Sequence, residues 1–142
     1  MTESARNLCD LHRTMCRRMG DKAAFRYQVS GHYQDISFQD VRRHADRVAA
    51  GLISLGIAPG DRIGILSENR VEWPIADQGV LSAAAADVTM HAPLSALQVE
   101  FQLGHSETRG VLVSNQAQAD KVMARLDHLP DLEFLVSLDP VS

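Results

Sequence analysis

The stretch from Ser37 to Ser67 limits the possible fold more than any other. Phe38, Val41, Ala45, Val48, Leu52 and Leu55 recur at spacings of three and four, which puts one apolar stripe on a helix of 3.6 residues per turn. Arg42, Arg43, Asp46 and Arg47 cover the opposite side. Ser37 opens this helix, with Asp40 three residues on in a capping-box-like position. Gly56 stops it, Pro59 bars a restart and Pro59-Gly60 turns the chain. Arg62 to Ser67 then sets Ile63, Ile65 and Leu66 around Gly64. A short apolar run entered from such a turn reads as a buried strand of a parallel sheet.

The flanking segments extend the same pattern. Residues 4–19 read as a helix with Leu8, Leu11, Met15 and Met19 as its apolar stripe and Gly20 as its stop. Lys22 to Val29 and His32 to Ile36 read as a hairpin turning at Ser30-Gly31. After Ser67, Asn69 is a candidate cap for the next helix, whose first turn tolerates Pro74. A strand follows at Asp87–Met90, then a helix opened by the Ser95/Gln98 capping box and running to about Leu103. Arg109–Val113 is another buried strand, and Ser114-Asn115 opens a helix with the stripe Ala119, Val122, Met123 and Leu126. Phe134–Leu138 is a last strand. Strands and helices alternating after residue 60 imply right-handed crossovers. The expected fold is α/β: a Rossmann-like or flavodoxin-like open sheet, mostly parallel, with helices on both faces. Residues 1–142 form one lobe, with 1–36 as an N-terminal helix and hairpin extension.

The chain has 142 residues and a formal net charge of −4, from 14 basic and 18 acidic side chains. That balance speaks against a nucleic-acid domain, which needs a concentrated basic face. Arg13, Arg17 and Arg18 read as a solvated helix end. Cys9 and Cys16 lie two helical turns apart, too far for a disulfide, and read as free thiols of a reducing compartment. Residues 1–20 carry charges throughout and show no apolar signal core. The run Gly79–Val88 is too short to span a bilayer. A cytoplasmic location is expected, with attachment to a membrane surface left open.

Residue patterns alone supply little chemistry. There is no GxGxxG: Gly60 and Gly64 stand four apart around the strand start. The six histidines, His12, His32, His44, His91, His105 and His128, show no metal-ligand spacing. Ser67-Glu68-Asn69 lies just past the carboxyl end of a strand, where open parallel sheets bind ligands, but Ser67 and Asn69 are equally turn and cap residues. Asp87 with His91, and His105 with Glu107, sit near element ends and read either as site groups or as loop hydrogen bonding. Trp73 is either an anchor for a helix start or a ligand-stacking ring.

Gly51-Leu52, Leu55-Gly56, Pro59 to Arg70 (PGDRIGILSENR), Glu72-Trp73 and Ala76-Asp77 together resemble the N-terminal part of AMP-forming acyl-CoA synthetases, in the adenylate-forming superfamily. The Ser-Glu-Asn-Arg-x-Glu-Trp run points to the long-chain fatty-acid ligase branch. Tyr33–Asp40, Asp87-Val88, Pro93, Gln98-Val99, Leu103–Ser106, Arg109, Val111–Gln116 and Asp120–Val122 add to it, so that the resemblance runs from about Asp21 to Leu138. One departure is local: the family usually has a proline and an aromatic soon after Asp87-Val88, where this chain has Thr89-Met90-His91-Ala92.

For the whole family member, the resemblance implies a two-step reaction. A fatty-acid carboxylate attacks the α-phosphate of ATP to give acyl-AMP and pyrophosphate, and the thiol of coenzyme A then displaces AMP. ATP, Mg²⁺ and coenzyme A are the implied cofactors, and the rest of the adenylation domain is the implied partner. The phosphate loop and the catalytic lysine of the family find no match in residues 1–142. No catalytic, cofactor-binding or metal-binding residue is therefore assigned, and the chain alone is expected to be an inactive scaffold lobe. The other reading is a self-standing α/β module for small-molecule or protein binding. Under the scaffold reading Gly79, Ala83 and the last strand are expected to face absent partners.

Overall fold

The computed structural model describes residues 5–142. Its order is α1 (Leu8–Met19), β1 (Ala23–Val29), β2 (His32–Ser37), α2 (Phe38–Ser54), β3 (Arg62–Ser67), α3 (Glu72–Ser82), β4 (Ala86–His91), α4 (Ala96–His105), β5 (Gly110–Val113), α5 (Gln116–Met123) and β6 (Phe134–Ser137), with a 3₁₀ turn at Leu126–His128 before β6. β1 and β2 form a separate antiparallel hairpin. Ser30 and Gly31 at its tip both have positive φ (49° and 82°), the condition for the tight turn that matches strand twist. β3 to β6 form a parallel sheet in the order β4-β3-β5-β6.

Alternation along the strands sorts the core into two layers. Ile63, Ile65 and Leu112 pack under α2 and α3 with Leu52, Ala76 and Val80. Leu66, Val111 and Val113 pack under α4 and α5 with Val99, Leu103 and Val122. A doubly wound α/β sheet is the result, as expected. Two glycines set the close approaches. A Cβ on Gly64 would lie 2.9 Å from Leu103 of α4, and one on Gly79 would lie 2.5 Å from Val48 Cγ1.

The last contact is a correction: Gly79 and Ala83 are buried inside the lobe, because α3 rides at short range on α2 and needs a side without bulk. A second correction concerns α1. Its N-cap is Asn7, so the helix starts later than residue 4, and residue 4 itself lies outside the described residues. Leu8 and Leu11 are exposed (67% and 47%), whereas Cys16 is buried at 3%. Polar ties turn this helix: Arg13 pairs with Asp46 at 3.1 Å, and Cys9 Sγ lies 3.5 Å from Ser82 Oγ. The stripe of α5 is likewise buried only at Ala119 and Val122, with Met123 and Leu126 exposed.

Candidate functional site at the carboxyl ends of the strands

The chain winds from β3 outward to β4, then returns past β3 to β5 and on to β6. The winding direction therefore reverses between β3 and β5, and the crevice beyond their carboxyl ends is where open α/β sheets hold ligands. Ser67-Glu68 leaves β3 there, and Ser114-Asn115 leaves β5.

In this protein the crevice holds the chain's own carboxylate. Glu68 Oε2 accepts from the Ser114 hydroxyl and, at 3.3 Å, from Asn115 Nδ2. Glu68 Oε1 accepts from Gln118 Nε2 at 2.8 Å. Asn115 caps α5 by accepting from the Gln118 amide, so Glu68 sits at the positive end of that helix. These donors, the Ser114 hydroxyl foremost, hold the Glu68 carboxyl down at about 2. Lys121 does not face the crevice as a free cation, since its Nζ donates to Ala92 O and Gln118 Oε1. Arg70 is engaged as well. It forks onto Asp139 at 3.1 and 2.9 Å, donates to Glu72 at 2.7 Å and reaches Ser114 O at 3.2 Å. A nucleotide triphosphate needs unengaged cations and backbone donors. The crevice offers engaged cations and an anion, so these residues do not fit ATP, and no chemical step is derived through it.

The remaining candidates divide: Ser67, Asn69, Trp73 and His91 border one small cavity, and the others lie apart. Ser67 is buried and donates to the Glu68 carbonyl at 2.8 Å, a turn bond. Asn69 does not cap α3: Val71 takes the cap position in a helical conformation without a side-chain bond. Asn69 instead lines a small cavity of about 310 Å³ with Ser67, Trp73, Thr89, Met90 and His91. β4 extends through His91, and the turn falls at Ala92-Pro93. Asp87 and His91 thus lie at opposite ends of β4. Asp87 faces Asp77 of α3, and burial foremost, with Asp87 adding to it, pushes the Asp77 carboxyl up.

His105 stacks on Phe101 with centroids 5.6 Å apart, and Glu107 pairs with Arg62 at 2.7 Å, away from the crevice. Arg17 and Arg18 are exposed in the last turn of α1, as a solvated helix end, with Arg17 donating to Thr14, while Arg13 pairs with Asp46. Burial raises the Cys16 thiol, which lies 3.3 Å from His12 Nε2. Among the described residues no group of three or more His, Cys, Asp or Glu is placed to hold a metal ion, and no helix is long and apolar enough to cross a membrane. Sequence reasoning missed the Arg70–Asp139–Glu72 knot and the Arg109–Asp61–Glu133 cluster, where Arg109 forks onto Glu133 at 2.9 and 2.7 Å. Their partners lie up to 69 residues apart, and no local pattern reveals either.

Fold and site together define a doubly wound α/β lobe whose ligand crevice is occupied by its own side chains. The AMP-binding enzyme family profile matches residues 12–142, and the chain belongs to that family. It is 32% identical over 113 residues to Fatty acyl-CoA synthetase A of Dictyostelium discoideum, a match covering 78% of this chain and 16% of that one. A shorter relative, the uncharacterized protein Rv1549 of Mycobacterium tuberculosis, is 28% identical over 138 residues, 97% of this chain and 75% of that one. Among solved structures, the N-terminal domain of FACL13 from Mycobacterium tuberculosis superposes with a TM-score of 0.85 at 23% identity, over 94% of this chain and 34% of that one. The fold is therefore that of adenylate-forming N-terminal domains, and the chain corresponds to an N-terminal portion of long-chain fatty-acid–CoA ligases. It spans about a sixth of the length of the Dictyostelium relative.

Proposed function

We propose that this chain is the N-terminal scaffold lobe of an AMP-forming acyl-CoA synthetase. In its complete form such an enzyme activates a long-chain fatty acid with ATP and Mg²⁺ to acyl-AMP and passes the acyl group to coenzyme A. Residues 1–142 act as one lobe, with 1–36 as a helix and hairpin extension. The lobe supplies no catalytic, cofactor-binding or metal-binding group and acts in the cytoplasm. The observation behind this reading is the pairing of a family match over residues 12–142 with a crevice filled by Glu68. The test is pyrophosphate release from ATP, Mg²⁺ and palmitate, with and without coenzyme A, by the purified chain. Release at the level of a blank is expected; turnover above it would overturn the inactivity of the lobe.

One observation favours a second reading. The match to Rv1549 covers most of both chains, as a self-standing α/β binding or interaction module would show. Light scattering separates the two, together with the reading frame downstream of Ser142. A soluble monomer followed by a stop codon supports the module. An in-frame continuation carrying a Ser/Thr/Gly-rich phosphate loop supports the scaffold.

A further inference from the structure

Carboxylates are shared unequally among the arginines. The chain has twelve arginines. Nine lie within ion-pair distance of an acid, from Arg26 with Asp35 on the hairpin to Arg125 with Glu100 of α4. Among the described residues the three that do not are Arg17 and Arg18, in the last turn of α1, and Arg47, midway along α2. α1 and α2 pack on each other, so all three lie on adjoining helices. Arg17 and Arg47 open into one groove there, of about 600 Å³, and Arg42 and Arg43 line it as well. Against these four guanidinium groups the lining offers one carboxylate, Asp46, and that one is shared: Arg13 donates to it at 3.1 Å and Arg42 lies 3.6 Å from it. The whole chain carries a net charge of −4, so the local surplus runs against the average.

Such a surplus has a cost. Arg43 and Arg47 stand one turn apart on α2, as Arg13 and Arg17 do on α1, and like charges at that spacing destabilise a helix. The dipole at the end of α1 accounts for Arg17 and Arg18, but not for Arg47 in the middle of α2. An anion in the groove removes the cost. Guanidinium forks match phosphate oxygens in pairs, and Gln39 adds a side-chain amide to the same lining. The volume is that of a small-molecule site, and four cations against one carboxylate leave a surplus larger than one phosphate dianion carries. Cys16, Gly20 and Ala50 line the rest, with no bulky apolar side chain to enter a bilayer. We propose that the groove between α1 and α2 binds a soluble anion with two or more linked phosphates. Its recessed, arginine-lined form favours that source over a lipid headgroup of the same chemistry. The groove shares no residue with the crevice beyond β3 and β5, and the inference does not depend on the scaffold-lobe reading.

The test is calorimetric titration of the whole chain with inorganic pyrophosphate, in about 0.1 M salt, where distant surface charges are largely screened. Saturable binding at one site per chain is expected, with a rise in melting temperature as the anion is added. Arg17→Gln and Arg47→Gln should each weaken it at least about fivefold. Arg26→Gln, which deletes the same charge from the hairpin, should leave it unchanged. All three positions are exposed, and thermal melts of each variant establish folding. Absence of both saturable heat and a melting shift would overturn the groove, as would an equal loss with Arg26→Gln. Sulfate at the same ionic strength should bind at least about tenfold more weakly; equal affinity would reduce the groove to general anion attraction and overturn phosphate recognition. Sedimentation with phosphatidylcholine vesicles containing phosphatidylglycerol covers the other source of phosphate. Vesicle binding without pyrophosphate binding would overturn the soluble ligand in favour of a headgroup.

Discussion

Glu68 and Asp77 are two carboxylates at the margins of one sheet, and the fold treats them oppositely. Glu68 is surrounded by donors from Ser114, Asn115 and Gln118 at the start of α5, and is held ionised far below the usual range. Asp77 is pushed up, by its partly buried place on α3 foremost and by a second carboxylate, Asp87, that it faces, against one donor, Gln78 Nε2 at 2.8 Å. Charge is not scarce near either one. What differs is the number of hydrogen-bond donors within reach, three side chains at Glu68 against Gln78 alone at Asp77, and whether burial and another acid outweigh them. The crevice between β3 and β5 is thereby occupied by a satisfied carboxylate, whereas the β4 edge stores a cost that proton uptake relieves.

The largest effect comes from disturbing the packing that brings Asp77 to Asp87. Gly79 lies two residues along α3, and a Cβ there would sit 2.5 Å from Val48 Cγ1 and 3.2 Å from Ala45 O. Gly79→Val must push α3 away from α2, costing about 2–3 kcal/mol. The urea midpoint should fall accordingly, and the carboxyl shift of Asp77 in a ¹³C NMR titration should move back toward the ordinary range. An unchanged midpoint would mean that α3 is not held at close range and that the acid pair is not imposed by packing.

Next is Glu68→Ala. It removes the acceptor for Ser114 (0% exposed) and Gln118 (4% exposed). Two buried polar groups are then unsatisfied, but the Glu68 side of the crevice is open and water replaces part of the loss. A destabilisation of about 1–2 kcal/mol is expected, with faster amide exchange at Gln116 to Gln118. If the midpoint does not move, the crevice is filled for some reason other than anchoring α5 to β3.

Legibility in the sequence divides along the same line. Most of what is set within a few residues was readable. The period of α2 gave that helix from its Ser37 cap, and the Ser95/Gln98 capping box is complete, with both reciprocal bonds formed. The alternation of strands and helices gave a parallel sheet covered on both faces. What escaped is set by residues far apart in the chain. Glu68 finds Ser114 and Gln118 only because β3 and β5 are neighbours, 46 and 50 residues on. Asn69 has the chemistry of a cap, but the chain enters α3 through Val71 already helical. The Leu8/Leu11 stripe of α1 is a fair helical pattern, yet the polar ties of Arg13 and Cys9 set which side faces inward. Gly79 and Ala83 were read as facing absent partners because small residues signal close approach without saying to what.

The smallest effect, and the one that separates the two carboxylates most cleanly, is that of pH on Asp77→Asn. In the wild type, Asp77 has a folded pKa above its unfolded value of 3.8. At neutral pH it is ionised in both states, and the fold carries the cost. As pH falls through the folded pKa, the fold takes up a proton before the unfolded chain does, so stability rises until about 3.8. Glu68 runs the other way. Its folded value of about 2 lies below the unfolded 4.5, so its contribution is whole above 4.5 and is lost as pH falls toward 2. Asp77→Asn should therefore stabilise the lobe at pH 7, by less than about 1 kcal/mol because the pair is partly solvated. The advantage should vanish by about pH 4. Glu68→Gln should leave the mildly acidic rise intact and flatten part of the fall below 4.5, the rest belonging to other paired acids such as Glu72 and Asp139. Urea midpoints for the three proteins between pH 8 and 2 measure both. If Asp77→Asn and wild type run parallel throughout, neither burial nor Asp87 raises the Asp77 carboxyl, and the contrast with Glu68 collapses.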